Sequence, residues 1–256
     1  MQNILSIQIC PELGRKQENY KKIETIISSF SNNKIDLILM PEFFSTGIDD
    51  KVLKTLAEEE TNSETLEFFS NVARKYNTNI VPGTIIEKEN EKLYNTSYFI
   101  NRKGQITGKY RKINLFNYFG GSEGDTITPG EKIVVVNSDI GKIGMSICFD
   151  IRFPLHYNKL LKAGAEIIIC PAAWSLEGSE EWDLCNRSIA LNNTSYVISS
   201  CLCGSTMYDH SGNSMIVDPF GKIVTKANRS ECGILAEIDV NKVKELRKNF
   251  PAHTFC

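Results

Sequence analysis

The stretch Gly141-Lys142-Ile143-Gly144-Met145-Ser146-Ile147-Cys148-Phe149-Asp150-Ile151-Arg152-Phe153-Pro154 constrains the chain more than any other. An apolar run climbs to a cysteine, a polar turn follows at once, and the next segment reads as a helix. That layout puts Cys148 at the carboxyl end of a buried strand, on a sharp strand-to-helix turn. A turn of this kind holds a nucleophile clear of the sheet, with the next backbone N–H, that of Phe149, aimed at the same point.

The rest of the chain supplies the sheets for such a turn. From Asn3 to Cys10, Ile4, Ser6 and Gln8 alternate against Leu5, Ile7 and Ile9, which predicts a strand. Tyr20, Ile23, Ile26, Ile27 and Phe30 fall at helical spacing over 15–30. The run from Ile35 to Met40 is continuously apolar, as in a strand covered on both faces, and ends in Pro41-Glu42-Phe43-Phe44. Thr61-Asn62-Ser63-Glu64 has the form of a capping box ahead of a helix burying Leu66, Phe69, Val72, Ala73 and Tyr76. Strands are expected over 79–87, 93–101 and 105–110. An irregular stretch over 111–130 follows, and a loop that long inside a compact domain is usually functional. Segments 132–137 and 142–148 read as a hairpin. A short helix comes next, with Leu155, Leu160 and Leu161 on one face and Gly164 as its stop. Strands at 165–171, 195–201, 214–218, 222–226 and 234–238 and helices at 180–192 and 240–248 complete the pattern. The mixture of hairpins and crossovers predicts an α/β fold of two packed sheets with helices outside. No Gly/Ser/Pro-rich linker divides it, so residues 1–256 read as a single domain.

Charge and cysteines narrow the function classes. Twenty-nine basic residues against 31 acidic ones give a net charge of −2. No long charge block appears, so nucleic acid and anionic membrane are not indicated as partners. The apolar runs are too short to span a bilayer, and no secretion signal is visible, which points to a cytoplasmic chain. The 8 cysteines include no Cys-x-x-Cys pair, which gives no support for a zinc ribbon or a thioredoxin-type motif. Most read as buried free thiols. Asn-x-Ser/Thr triplets at Asn95, Asn186, Asn193 and Asn228 read as chance matches.

Hydrolysis of an amide through a covalent intermediate needs an activated nucleophile, a base and a positive group where the oxyanion forms. Cys148 is the candidate nucleophile. The histidines, His156, His210 and His253, do not sit at a strand end beside a turn. Glu42 does, and a carboxylate at the mouth of a buried strand is costly unless something uses or pairs it. An N-cap or a surface acid is the alternative reading. Lys112 lies in Lys109-Tyr110-Arg111-Lys112, which taken alone reads as a solvated basic face.

Together these segments resemble the nitrilase (carbon–nitrogen hydrolase) superfamily, in its amidase-like branch. The resemblance rests on Met40-Pro41-Glu42-Phe43, on Tyr110-Arg111-Lys112-Ile113-Asn114-Leu115-Phe116 and on Gly144 to Pro154. Thr128-Pro129-Gly130, Cys170-Pro171-Ala172-Ala173-Trp174 and Gly212 to Gly221 add to it, in order and almost end to end. It implies a four-layer αββα sandwich and a homodimer or higher homo-oligomer. It implies a Glu-Lys-Cys triad on Glu42, Lys112 and Cys148, a supporting acid at Glu123, and the backbone N–H of Phe149 as an oxyanion donor. Phe44, Phe116 and Trp174, next to the triad motifs, are candidates to line the substrate pocket, and Asp150 and Arg152 to brace the elbow. Neither a metal nor an organic cofactor is implied. The implied reaction is hydrolysis of a small linear non-peptide amide, with an omega-amide of a dicarboxylate as first candidate, and a Glu42–Lys112 pocket that lowers the thiol pKa. An N-carbamoyl amine or amino acid is the alternative substrate. A catalytically silent ligand- or partner-binding scaffold is the alternative of another class. One departure stands out: Ile189-Ala190-Leu191-Asn192-Asn193 replaces the Arg-Ala-Ile-Glu-Asn often found in the family, which bears on local helix contacts and not on the triad.

Overall fold

A computed structural model describes residues 1–118 and 121–251; the end of the tail, with His253 and Cys256, lies outside the described residues. In chain order, β1 (Gln2–Gln8) leads to α1 (Lys16–Ser29), β2 (Leu37–Leu39), α2 (Asp50–Thr55) and α3 (Glu64–Tyr76). Then come β3 (Asn79–Val81), β4 (Ile85–Glu89), β5 (Lys92–Ile100), β6 (Ile106–Arg111), β7 (Val135–Ser138) and β8 (Gly141–Met145). The second half runs α4 (Pro154–Lys162), β9 (Ile167–Ala172), α5 (Ser179–Asn193), β10 (Tyr196–Cys201), β11 (Met215–Val217), β12 (Ile223–Lys226), β13 (Cys232–Ile238) and α6 (Val240–Asn249).

The strands form two mixed sheets. One has the order β13-β1-β2-β3-β5-β4 with β6 paired to β5, and the other the order β12-β11-β10-β9-β8-β7. β1, β2 and β3 are parallel, as are β8, β9 and β10, and hairpin partners flank each parallel core. Helices α1 and α3 cover the outer face of the first sheet, α4 and α5 that of the second, giving the four-layer αββα sandwich that the resemblance implies.

The alternation in β1 decides which side chains meet which layer. Leu5 and Ile7 pack outward with Tyr20, Ile23 and Ile27 of α1. Ile4 joins the interior between the sheets. There Ser6 Oγ donates to the Ser199 carbonyl of β10 at 2.9 Å, and Gln8 Oε1 accepts from Ser214 N at 3.0 Å and Ser214 Oγ at 2.9 Å. The sheets are therefore registered by a polar seam, since buried hydroxyl and amide groups must find partners. Among the described residues no helix is long and apolar enough to cross a membrane.

Four local expectations need correction. The strand expected over 79–87 is two strands broken at Gly83, whose φ is +51; a Cβ there would stand 1.8 Å from the Pro41 carbonyl oxygen. The N-cap of α3 is Ser63, whose hydroxyl accepts from Leu66 N, and not Thr61. Leu155 lies on the exposed side of α4, while Leu160 and Leu161 are buried. Strand β8 ends at Met145, so Cys148 stands three residues beyond it, at the start of a 3-10 turn over Cys148–Arg152.

Candidate active site

Glu42, Lys112 and Cys148 come from three separate elements and meet at one end of the sandwich. Glu42 follows β2 across Met40 and Pro41. Phe43, next in sequence, adopts φ +54, and its N–H donates to Thr84 Oγ1 at 3.1 Å. Lys112 follows β6 directly; its N–H donates to the Asn95 carbonyl of β5 at 2.9 Å, and its carbonyl accepts from Gly130 N at 2.7 Å. The two ends of the 111–130 loop are thus tied together beside the site.

Cys148 sits at φ +45, a left-handed conformation that costs a non-glycine residue roughly 1–2 kcal/mol. Asp150 holds it there. Its Oδ2 accepts from Ile147 N at 2.9 Å and Tyr110 Oη at 2.6 Å, and its Oδ1 from Asn114 N at 3.0 Å and Asn114 Nδ2 at 2.7 Å. The brace therefore joins the elbow to the segment that carries Lys112. Arg152, the other brace candidate, is exposed.

At the centre, Lys112 Nζ donates to Glu42 Oε1 at 2.9 Å and to Glu123 Oε2 at 2.8 Å. The side chains of Glu42 and Lys112 are 1% and 2% exposed. Glu42 Oε2 accepts from Ala173 N at 2.9 Å, and the Cys148 thiol faces the same carboxylate. Glu123 is held in turn by Phe116 N at 2.8 Å. Burial pushes the Glu42 carboxyl up; Lys112 pulls it down and Glu123 pushes it up again, with a net upward displacement. Burial opposes the charge on Lys112, but Glu123 and Glu42 outweigh it and hold the ammonium well above its usual range. Burial and then the negative charge of Glu42 push the Cys148 thiol far up, against the pull of Lys112. The expected lowering of the thiol pKa is therefore reversed: a buried site already holding two carboxylates disfavours a third anion.

The aromatic candidates divide. Phe116 is half-buried beside the site, its ring edge-on to Phe149 at 5.1 Å. Trp174 is 9% exposed, donates from Nε1 to the Gly178 carbonyl at 2.7 Å and packs on Trp182. Phe44 is fully buried between Tyr20 and Phe69 under α1 and α3, so its ring offers no surface to a ligand. Two residues that sequence reasoning passed over belong to the site. Asn95, met only as a chance triplet, donates from Nδ2 to Glu42 Oε1 at 2.8 Å and to Glu123 Oε1 at 3.0 Å. The visible signal is a run of polar residues, Asn95-Thr96-Ser97, inside a strand buried on both faces. Tyr208, on the loop after β10, donates its hydroxyl to the Ala173 carbonyl at 2.8 Å, and the charges of Cys148 and Glu42 both act on it. No sequence periodicity marks it.

Over residues 4–248 the sequence matches the carbon–nitrogen hydrolase family. The chain belongs to that family. This carbon–nitrogen hydrolase is 32% identical over 263 residues to omega-amidase NIT3 of Saccharomyces cerevisiae, across 96% of this chain and 89% of that protein. It is 31% identical over 250 residues to 2-oxoglutaramate amidase of Bacillus subtilis, across 97% of this chain and 95% of that one. The crystal structure of Saccharomyces cerevisiae Nit3, a member of branch 10 of the nitrilase superfamily, matches with a TM-score of 0.89 at 30% identity. The match covers 98% of this chain and 94% of the other. The hydrolase and its yeast relative thus share both sheets and their helical layers.

Proposed function

We propose that this carbon–nitrogen hydrolase cleaves a small linear amide, with an omega-amide of a dicarboxylate as first candidate, to the acid and ammonia through an acyl-thioester on Cys148. The observation that carries the reading is the buried Lys112 ammonium bridging Glu42 and Glu123 beside the Cys148 thiol. The omega-amidase and 2-oxoglutaramate amidase names of two relatives support the substrate class.

In the first half-reaction the thiol proton passes to Glu42 as the sulfur bonds to the amide carbon. The resulting oxyanion is stabilised by Lys112 and the backbone N–H of Phe149, a contribution of roughly 3–4 kcal/mol per well-placed donor. The C–N bond breaks as Glu42 returns the proton to nitrogen, and ammonia leaves. In the second half-reaction Glu42 takes a proton from water, hydroxide adds to the thioester carbon, and the C–S bond breaks with the proton going back to sulfur. Glu123 holds Lys112 in place throughout, and Phe116 and Trp174 flank the acyl group. The residues supply nucleophile, base and electrophile between them, so this route runs without a cofactor.

We read residues 1–256 as one domain acting as a homodimer in the cytoplasm. The seven described cysteines are all thiols, the state that a reducing compartment maintains. Leu155 of α4, Leu184 and Leu191 of α5 and Phe220 of the β11–β12 turn are large apolar side chains exposed on the outer helical layer, and they support a dimer through that face. Sedimentation of Leu184→Glu against wild type tests the dimer. Ammonia release over a panel of linear omega-amides and N-carbamoyl compounds tests the reaction. Turnover of an omega-amide that Cys148→Ala abolishes, with the fold intact, is expected. Wild-type turnover by Cys148→Ala refutes the reading, and selective turnover of carbamoyl compounds replaces the substrate class.

A further inference from the structure

Asn95 is fully buried in β5 and touches the site three times. Its carbonyl accepts from the Lys112 backbone N–H at 2.9 Å. Its amide nitrogen donates to Glu42 Oε1 at 2.8 Å and to Glu123 Oε1 at 3.0 Å. Its Oδ1 has no hydrogen-bond partner among the described residues. Turning the amide over would set an oxygen against two carboxylate oxygens, so the surroundings fix which end is nitrogen. The fold leaves a buried amide oxygen unpaired and keeps the nitrogen on the two acids. An apolar side chain would avoid that cost, so the donor has a use at this place.

The use follows from counting acceptor sites. Each carboxylate oxygen offers about two lone-pair directions. Glu42 Oε1 receives both Lys112 Nζ and Asn95 Nδ2, so it is filled. Among the described residues Glu42 Oε2 receives Ala173 N, which leaves a second direction open on the carboxylate that the Cys148 thiol faces. We infer that Asn95 is a positioning residue that, together with Lys112, occupies Glu42 Oε1 and thereby makes Oε2 the atom that exchanges protons with Cys148 and with the attacking water. The same amide group holds Glu123 beside Lys112 and spaces the two carboxylates. The inference rests on the amidohydrolase reading of the site and adds to it the identity of the proton-carrying atom and the residue that selects it.

Two variants no larger than asparagine test it: Asn95→Asp, which replaces the donor by an acceptor in the same shape, and Asn95→Ala, which removes it. The backbone bond to Lys112 is kept in both. The assay is ammonia release from the best omega-amide, with kcat and KM followed from acid to neutral pH. Losing a donor to the ionised form of Glu42 favours its protonated form. The acid limb of kcat is therefore expected to move to higher pH in both variants, further in Asn95→Asp. The loss in kcat is on the order of 10- to 100-fold, with KM changing less than about twofold. Unchanged kcat and an unmoved limb in either folded variant overturn the inference. A fall in kcat with an unmoved limb also overturns it, since a merely structural role produces that. So does loss of the fold in both variants, shown by circular dichroism, because the side chain then serves the strand. If wild type releases no ammonia, or Cys148→Ala keeps doing so, it is the amidohydrolase reading that fails. Wild-type activity dependent on Cys148 but indifferent to Asn95 sinks only the inference.

Discussion

Asp150 gives the sharpest test of how the nucleophile is held. It is fully buried and accepts four hydrogen bonds, with no ion pair among the described residues. In Asp150→Asn one carboxylate oxygen becomes an NH2 group. If it replaces Oδ2, the Tyr110 hydroxyl turns and accepts, but the Ile147 N–H is orphaned. If it replaces Oδ1, the Asn114 side chain turns over, but the Asn114 N–H is orphaned. Either way one backbone donor loses its acceptor, at about 1–3 kcal/mol. Asp150→Ala orphans both backbone donors and leaves a cavity, at about 3–5 kcal/mol. At roughly 3 °C per kcal/mol for a domain of this size, Asp150→Asn should melt about 3–9 °C below wild type and Asp150→Ala lower still. Both should lose kcat by on the order of tenfold or more, because Cys148 is held at φ +45 only by what surrounds it. Scanning calorimetry and ammonia release read the two effects. An Asp150→Ala protein that melts within about 1 °C of wild type and turns over at its rate would refute the brace.

Three other perturbations read different parts of the structure. Gly83→Ala puts a Cβ 1.8 Å from the Pro41 carbonyl at a φ of +51, so it should cost about 2–4 kcal/mol and lower activity by shifting Glu42; a wild-type melting temperature would contradict this. In Glu123→Gln the negative charge that pushes the Glu42 carboxyl up is gone, so the acid limb of kcat should move to lower pH, opposite to the Asn95 variants; a limb that stays put or rises would contradict it. For Glu58, burial raises the pKa but Lys16, Ser63 and Thr65 outweigh it, so the folded value lies below the ordinary 4.5. Its stabilisation is present above pH 4.5 and lost as pH falls through the folded value, so Glu58→Gln should start less stable at pH 7 and lose less stability on acidification in urea unfolding.

What the sequence revealed and what it hid follow from the range of the forces involved. The alternation of Ile4, Ser6 and Gln8 against Leu5 and Ile7 is a local, period-two signal, and it sorts those side chains to the layers where they lie. Glu42 was legible because a charge at the end of an apolar run needs a reason, whereas Lys112, inside the basic run Lys109-Tyr110-Arg111-Lys112, was legible only through the family motif around it. Gly83 was not, because what it must clear is the Pro41 carbonyl, brought there by the pairing of β2 with β3. Phe44 follows Glu42 by two residues, yet the turn at Phe43 sends its ring outward to Tyr20 and Phe69. Asn95 reads in the sequence only as part of a chance triplet because its two acceptors come from loops 53 and 28 residues away. The direction of the thiol pKa was hidden for the same reason: burial and the summed charges of a site exist only once the chain has folded.

That direction has a consequence for how the sulfur attacks. With Lys112 shared between Glu42 and Glu123, the cluster already carries one more negative than positive charge, and a resting thiolate would add another beside a Glu42–Lys112 pair that is almost wholly buried. The thiol therefore stays protonated at neutral pH. Its proton leaves only as the C–S bond forms, when the negative charge can pass to the substrate oxygen and its donors. An electrophile that offers no such oxygen should gain nothing from the site. Iodoacetamide labelling of the Cys148 peptide, followed by mass spectrometry, should rise with pH without levelling off near neutrality. An activated acyl ester, which forms an oxyanion on attack, should acylate the same thiol rapidly at pH 7. A labelling curve that levels off below pH 7 would mean a preformed thiolate. It would then be the anion, and not the coupled transfer of its proton to Glu42, that starts the reaction.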